Sequence, residues 1–163
     1  MEQINSVSPI FWASSILITG ALFAIFWTLD ALQHKELVHI DITENELKTH
    51  RIILLTSMLM ELSLIAMFWF PIEALPFFIA LLFTRTAHEF MDELKYHMDR
   101  CSMYETMLHL AMWISVLANT VLMFMWGFFT QYIGLCDLHP SFLVCAFTIF
   151  VVIMRIGYKE WKR

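Results

Sequence analysis

The chain predicts an all-α integral membrane protein with five transmembrane helices, four of them forming an antiparallel bundle with cytoplasmic extensions. Three observations lead there. Hydrophobic residues make up 60% of the 163 and charged residues 15%, against about 45–50% and about 25% in soluble domains. A water-soluble fold of that composition would leave apolar surface uncovered. Five apolar runs reach or approach the roughly 20 residues that a span requires, and the basic residues flank them on one side alone. No linker, low-complexity tract or repeat longer than a residue pair divides the chain, so residues 1–163 read as a single membrane domain.

The first span covers about residues 10–32 and is entered through Pro9. The residues before it lack a basic region, and the run is too long for a signal peptide, so it should remain as a helix. The second helix begins near Glu44, spans about residues 50–70, and is apolar from Ile52 onward except for Glu61. Pro71 and Pro76 bracket a short turn. A third helix occupies about residues 76–100; only Phe77–Phe83 is continuously apolar, and Arg85–Arg100 is crowded with ionisable groups. The fourth, about 102–132, is broken only by Glu105, His109 and Asn119, and a turn from Gly134 to Pro140 leads into the fifth, about 141–158. Trp12, Trp27, Trp69, Trp126 and Trp161 lie near span ends, where indoles anchor at the interface.

With five spans, Lys35, Lys48, Arg51, Lys95, Arg100, Arg155, Lys159, Lys162 and Arg163 share the side of the C-terminus, and the opposite side has no Lys or Arg. The positive-inside rule then puts the N-terminus outside and the C-terminus in the cytoplasm of an inner, cytoplasmic-type membrane. A net charge of −5 without a basic stripe argues against nucleic acid as a partner. Cys101, Cys136 and Cys145 show no CxxC spacing and read as small apolar fillers.

Four of the seven histidines stand four residues after a carboxylate: Asp30/His34, Glu46/His50, Glu93/His97 and Glu105/His109. Chance placement would give fewer than one such pair. Residues four apart are neighbours on a helix, and each pair lies near the cytoplasmic end of a different helix. Counting from the turn near Cys101 sets His97 level with Glu105, and Glu93 level with His109. Counting from the Pro71–Pro76 turn sets Glu61 level with Arg85, in reach of an intramembrane ion pair. Glu46/His50 is the pair most readily explained as plain solvation, since Glu44, Lys48 and Arg51 surround it. His39 and His139 read as ordinary loop residues.

The third helix offers two ligand sets. If it lies at membrane depth, His88, Glu89 and Asp92 should face the bundle interior, because ionised groups avoid lipid. If it projects into water, Glu93 and His97 are better placed.

Imidazoles from several helices mixed with carboxylates suggest a metal centre, and helical bundles build dinuclear iron or manganese sites from such donors. The bundle motif is Glu-x-x-His; here the spacing is one residue longer. The expected ligands are Asp30, His34, His50, His88, Glu89, Asp92, Glu93, His97, Glu105 and His109, with Glu61 as a catalytic proton relay. The expected cofactor is a divalent metal, two iron ions by preference, with copper, zinc or haem as alternatives. The histidine boxes of membrane fatty-acid desaturases, HxxxH and HxxHH, are absent. Expected partners are membrane lipids, a lipophilic or small-molecule substrate, and a second copy or a larger membrane complex. An oxidoreductase of the oxygenase or hydroxylase type is the first functional expectation. Metal or proton transport or sensing is the second, and a non-catalytic haem or scaffold subunit the third.

Overall fold

The computed structural model describes residue 4 and residues 6–37, 43–98 and 101–162, the side chains of 33–37 excepted. Among these residues the regular structure is entirely helical: α1 (Pro9–Leu37), α2 (Glu44–Ala66), α3 (Pro71–Asp92), α4 (Met103–Thr130) and α5 (Pro140–Trp161). A π-helical turn, Glu93–His97, continues α3, and a 3₁₀ turn, Leu135–Asp137, precedes α5. Helices α1, α2, α4 and α5 are each long and apolar enough to cross a membrane. The 22-residue α3 is of similar length but carries Glu73, Arg85, Glu89 and Asp92. It still makes the full return journey, because α2 and α4 both start at the end of the molecule where α3 finishes.

One boundary differs from the sequence reading. The segment expected as a turn between Pro71 and Pro76 is the first turn of α3, with Pro71 at its opening position. A proline there gives up only an N–H that no helix would use. Pro76 sits within the helix, close enough to its start to remove a single hydrogen bond. The true turn is Met67–Phe70, closed by Ala66 carbonyl bonds to the amides of Trp69 (3.0 Å) and Phe70 (2.9 Å).

Helix α1 packs chiefly on α4, α2 chiefly on α3, and α5 on α1. Asn119 of α4 fixes the first pair: its Nδ2 donates to the Ile16 carbonyl (2.8 Å) and to Thr19 Oγ1 (2.9 Å) of α1. Two cores lie at the end opposite the carboxylate–histidine pairs. Met60, Leu64 and Met67 of α2 and its following turn pack on Ala74 and Phe78 of α3. Trp12, Ala13, Trp126 and Tyr132 form the other. Trp12 and Trp126 are thus 7% and 3% exposed, and serve as core residues rather than interfacial anchors. The two cores are joined where the Tyr132 hydroxyl donates to the Leu64 carbonyl (2.9 Å), which also accepts from the Met67 amide (3.2 Å) at the end of α2. Gly127 makes room for that ring, since a Cβ there would lie 2.8 Å from it. Outside these cores the surface is strongly apolar: Phe77, Phe83 and Phe147 are each more than two-thirds exposed. In the apolar stretch of α5 no residue is buried. Water would not tolerate that surface, whereas acyl chains would.

Candidate metal centre

Helices α2 and α4 begin in the same way. Thr43 and Ser102 are their N-caps, each accepting from the amide three residues on, Glu46 N and Glu105 N (both 3.3 Å). In return Glu46 Oε2 accepts from the Thr43 amide (3.4 Å) and Glu105 Oε2 from the Ser102 amide (3.2 Å). These are capping boxes, in which two otherwise unused helical donors are satisfied reciprocally. They hold both glutamates inward, 1% and 6% exposed. One helical turn further on, His50 and His109 follow on the same faces.

The end of α3 supplies the rest. An α-helical register would set Asp92 and His97 on different faces, but the π-turn from Glu93 to His97 has more residues per turn and draws them together. His97 Nδ1 donates to the Asp92 carbonyl (3.0 Å), so in the neutral ring Nε2 carries the lone pair. The His97 side chain is 3% exposed.

Three imidazoles from three segments therefore meet. The ring centroids of His97 and His109 are 4.9 Å apart, and those of His50 and His97 6.1 Å. Carboxylates of other helices lie against them. His50 Nε2 is 3.0 Å from Asp92 Oδ1. His109 Nε2 is 3.1 Å from Asp30 Oδ1, and its Nδ1 is 2.8 Å from Glu93 Oε1. The side chains of Asp30 and Asp92 are each 13% exposed, so both are largely withdrawn from water. Among the described residues, two groups have ligand atoms all within 4.8 Å of one another: Glu46, His50 and His97, and His97, Cys101 and His109. Two ligand atoms about 2.1 Å from one ion, at right angles, stand about 3 Å apart. The imidazole–carboxylate contacts already have that separation, and the three-residue groups, spread over up to 4.8 Å, would have to draw in around an ion. A half-open cleft of about 230 Å³, lined by Glu93, Leu94, His97, Met98, Cys101 and Thr106, leads in from the surface.

The expected ligands thus fall into distinct places. Asp30, His50, Asp92, Glu93, His97 and His109 come together, and Glu93 meets His109 at the level that counting from the turn gives. Glu105 is tied into its helix cap. His88 turns back to the Thr84 carbonyl (2.8 Å), and Glu89 is paired with Arg85, so both are engaged along α3 itself. Arg85 thus has a direct ion-pair partner on its own helix, and its charge also acts on Glu61 across the interface, where counting from the turn set the two level. Glu61 lies eleven residues beyond His50 on α2, about 16 Å along the axis. The side chain of His34 and all of His39 lie outside the described residues. Sequence reasoning passed over Cys101, which lacks CxxC spacing. Its nearness to His97 is legible only once the α3–α4 turn is folded.

Fold and site together define an all-helical protein with membrane-length apolar helices and His, Glu and Cys groups placed to hold a metal ion. No protein-family model, curated protein or solved structure matches the chain.

Proposed function

We propose that this protein is a membrane-embedded metalloprotein whose centre lies where the ends of α1–α4 meet. The observation that carries the reading is the convergence of His50, His97 and His109 with Asp30, Asp92 and Glu93 at one end of an otherwise apolar molecule. Carboxylates buried in number are stable only when cations offset them, and divalent ions on a mixed nitrogen and oxygen donor set do so directly. Two ions suit the number of donors, with iron preferred and copper or zinc as alternatives. A haem is disfavoured because carboxylates, not an apolar slot, lie against each imidazole.

The reaction proposed is oxidation or hydroxylation of a small or lipid-soluble substrate entering through the cleft beside His97. Exposed Leu94 (62%), Met98 (70%) and Met103 (79%) on and near its rim favour an apolar substrate. Glu61, within reach of the Arg85 charge, would relay protons from mid-span. The N-terminus lies outside and the C-terminus in the cytoplasm, and the uncovered face of α5 is the surface for lipid, a second copy or a larger complex.

Elemental analysis and an optical spectrum of detergent-purified protein test this together. Wild type should carry metal at or above one ion per chain, and His109→Ala should lose at least half of it. Equal metal in the two proteins, or none in wild type after loading, contradicts the reading. Flux of metal or protons into liposomes would favour transport instead, with Glu61 midway along the path.

A further inference from the structure

Hairpin α1–α2 and hairpin α3–α4 share a pattern that no single sequence period reveals. The first helices align at an offset of 62, Pro9 with Pro71 and Asp30 with Asp92. Both prolines open their helices, and Trp12 and Ala74, at the same offset, are both buried. The second helices align at an offset of 59. Thr43 matches Ser102 as N-cap, Glu46 matches Glu105 in the capping box, and His50 matches His109. Thr56 matches Ser115: both are buried, and each hydroxyl donates 2.7 Å to the carbonyl four residues back. Met67 matches Trp126, again both buried. The change of offset between first and second helices hides the relation from a fixed-period search.

The packing repeats as well. Exchanging α1 with α3 and α2 with α4 turns the α1–α4 pair into the α3–α2 pair, which are the two best-packed pairs in the molecule. It also turns the Asp30–His109 contact (3.1 Å) into the Asp92–His50 contact (3.0 Å). In each, the histidine of one hairpin meets the aspartate of the other.

Two features break the pattern. Glu93, which meets His109 (2.8 Å), stands at the position of Ala31 in α1, so the carboxylate it adds has no equivalent there. The other feature lies in one turn. His34 follows Asp30 by four residues, whereas His97 follows Asp92 by five, and the π-turn Glu93–His97 absorbs the extra residue. It brings the His97 ring against both His50 and His109. With Nδ1 donating to the Asp92 carbonyl, His97 has one lone pair and can serve one ion at a time.

We infer that the centre is two half-sites related by an internal pseudo-twofold axis, each holding one divalent cation on a cross-hairpin Asp–His pair: Asp30 with His109, and Asp92 with His50. They are unequal because Glu93 adds a carboxylate beside His109 and the π-turn gives His97 to one of them. This rests on the metal-binding reading above.

Titration of full-length, detergent-purified, metal-stripped protein with Co²⁺, followed optically and by elemental analysis, tests it. Wild type should bind two ions in two steps separated by at least tenfold in affinity. Asp30→Asn and Asp92→Asn, which keep side-chain shape, should each bind one, and the double variant none. His97→Ala should weaken one step by at least tenfold and leave the other within a few-fold of wild type. Saturation of wild type at one ion, or either single variant losing both ions or neither, overturns the inference while leaving a metalloprotein. No Co²⁺ bound by wild type overturns the metal reading itself. If an Asn variant does not fold, the two unequal steps in wild type and the weakening of one step alone in His97→Ala still decide the matter.

Discussion

Tyr132 shows how much one side chain does in this fold. Its ring fills the space beside Gly127, and its hydroxyl adds a second hydrogen bond to the Leu64 carbonyl near the end of α2. Burial first, and the nearby Glu61 charge second, push its ionisation well above the ordinary phenol range. In the unfolded chain the same group loses its proton at about pH 10. Its contribution to stability is therefore complete below about pH 10 and declines as the pH rises above it. Tyr132→Phe should cost about 1 kcal/mol at neutral pH for the lost hydrogen bond, and its unfolding in detergent should show a smaller alkaline decline than wild type. Parallel pH profiles for the two proteins would contradict this. At the same scale, the carboxylate–histidine spacing was legible in the sequence, but the partners were not. Glu46 and Glu105 stand four residues before a histidine because each belongs to a capping box. The carboxylates against His50 and His109 arrive from other helices. Spacing reports a shared face; it does not report what the opposite helix presents.

The helices themselves were legible because length and hydropathy determine a span with few alternatives. Where the reading failed, the cause was local backbone chemistry. Pro71 opens α3 rather than bracketing a turn, and the π-turn after Asp92 departs from the 3.6-residue period on which face assignments rest. Of the two ligand sets offered for the third helix, that turn draws Asp92 and His97 inward and sets the exposed Glu93 against His109, while His88 and Glu89 are engaged along α3. The capping boxes carry an element-scale prediction. Thr43→Ala and Ser102→Ala should each destabilise the fold by about 1 kcal/mol. Each should also weaken metal binding, because the cap holds the first turn that bears Glu46 and His50, or Glu105 and His109. Unchanged unfolding midpoints with unchanged affinity would show that the caps are dispensable.

Across the whole molecule, the polar groups are gathered at one end and aromatic cores at the other, with apolar surface between them. The structure places the α3–α4 turn, with Cys101, at the end that bears the histidines, and the 3₁₀ turn, with Cys136, at the opposite end. These natural thiols give a topology test without engineered residues. In sealed inside-in cells or vesicles, a membrane-impermeant maleimide should label Cys136 from outside, and Cys101 only after the membrane is opened. The reverse pattern would invert the proposed orientation without disturbing the fold.

The central claim, that imidazoles and carboxylates from separate helices ligate cations at one end of the bundle, is met most directly by X-ray absorption at the edge of the bound metal. The expected spectrum has a nitrogen and oxygen shell at about 2.0–2.2 Å, with outer-shell scattering from imidazole rings that weakens in His50→Ala and His109→Ala. A loaded protein whose metal shows no imidazole scattering, or the same scattering in wild type and both variants, would contradict it.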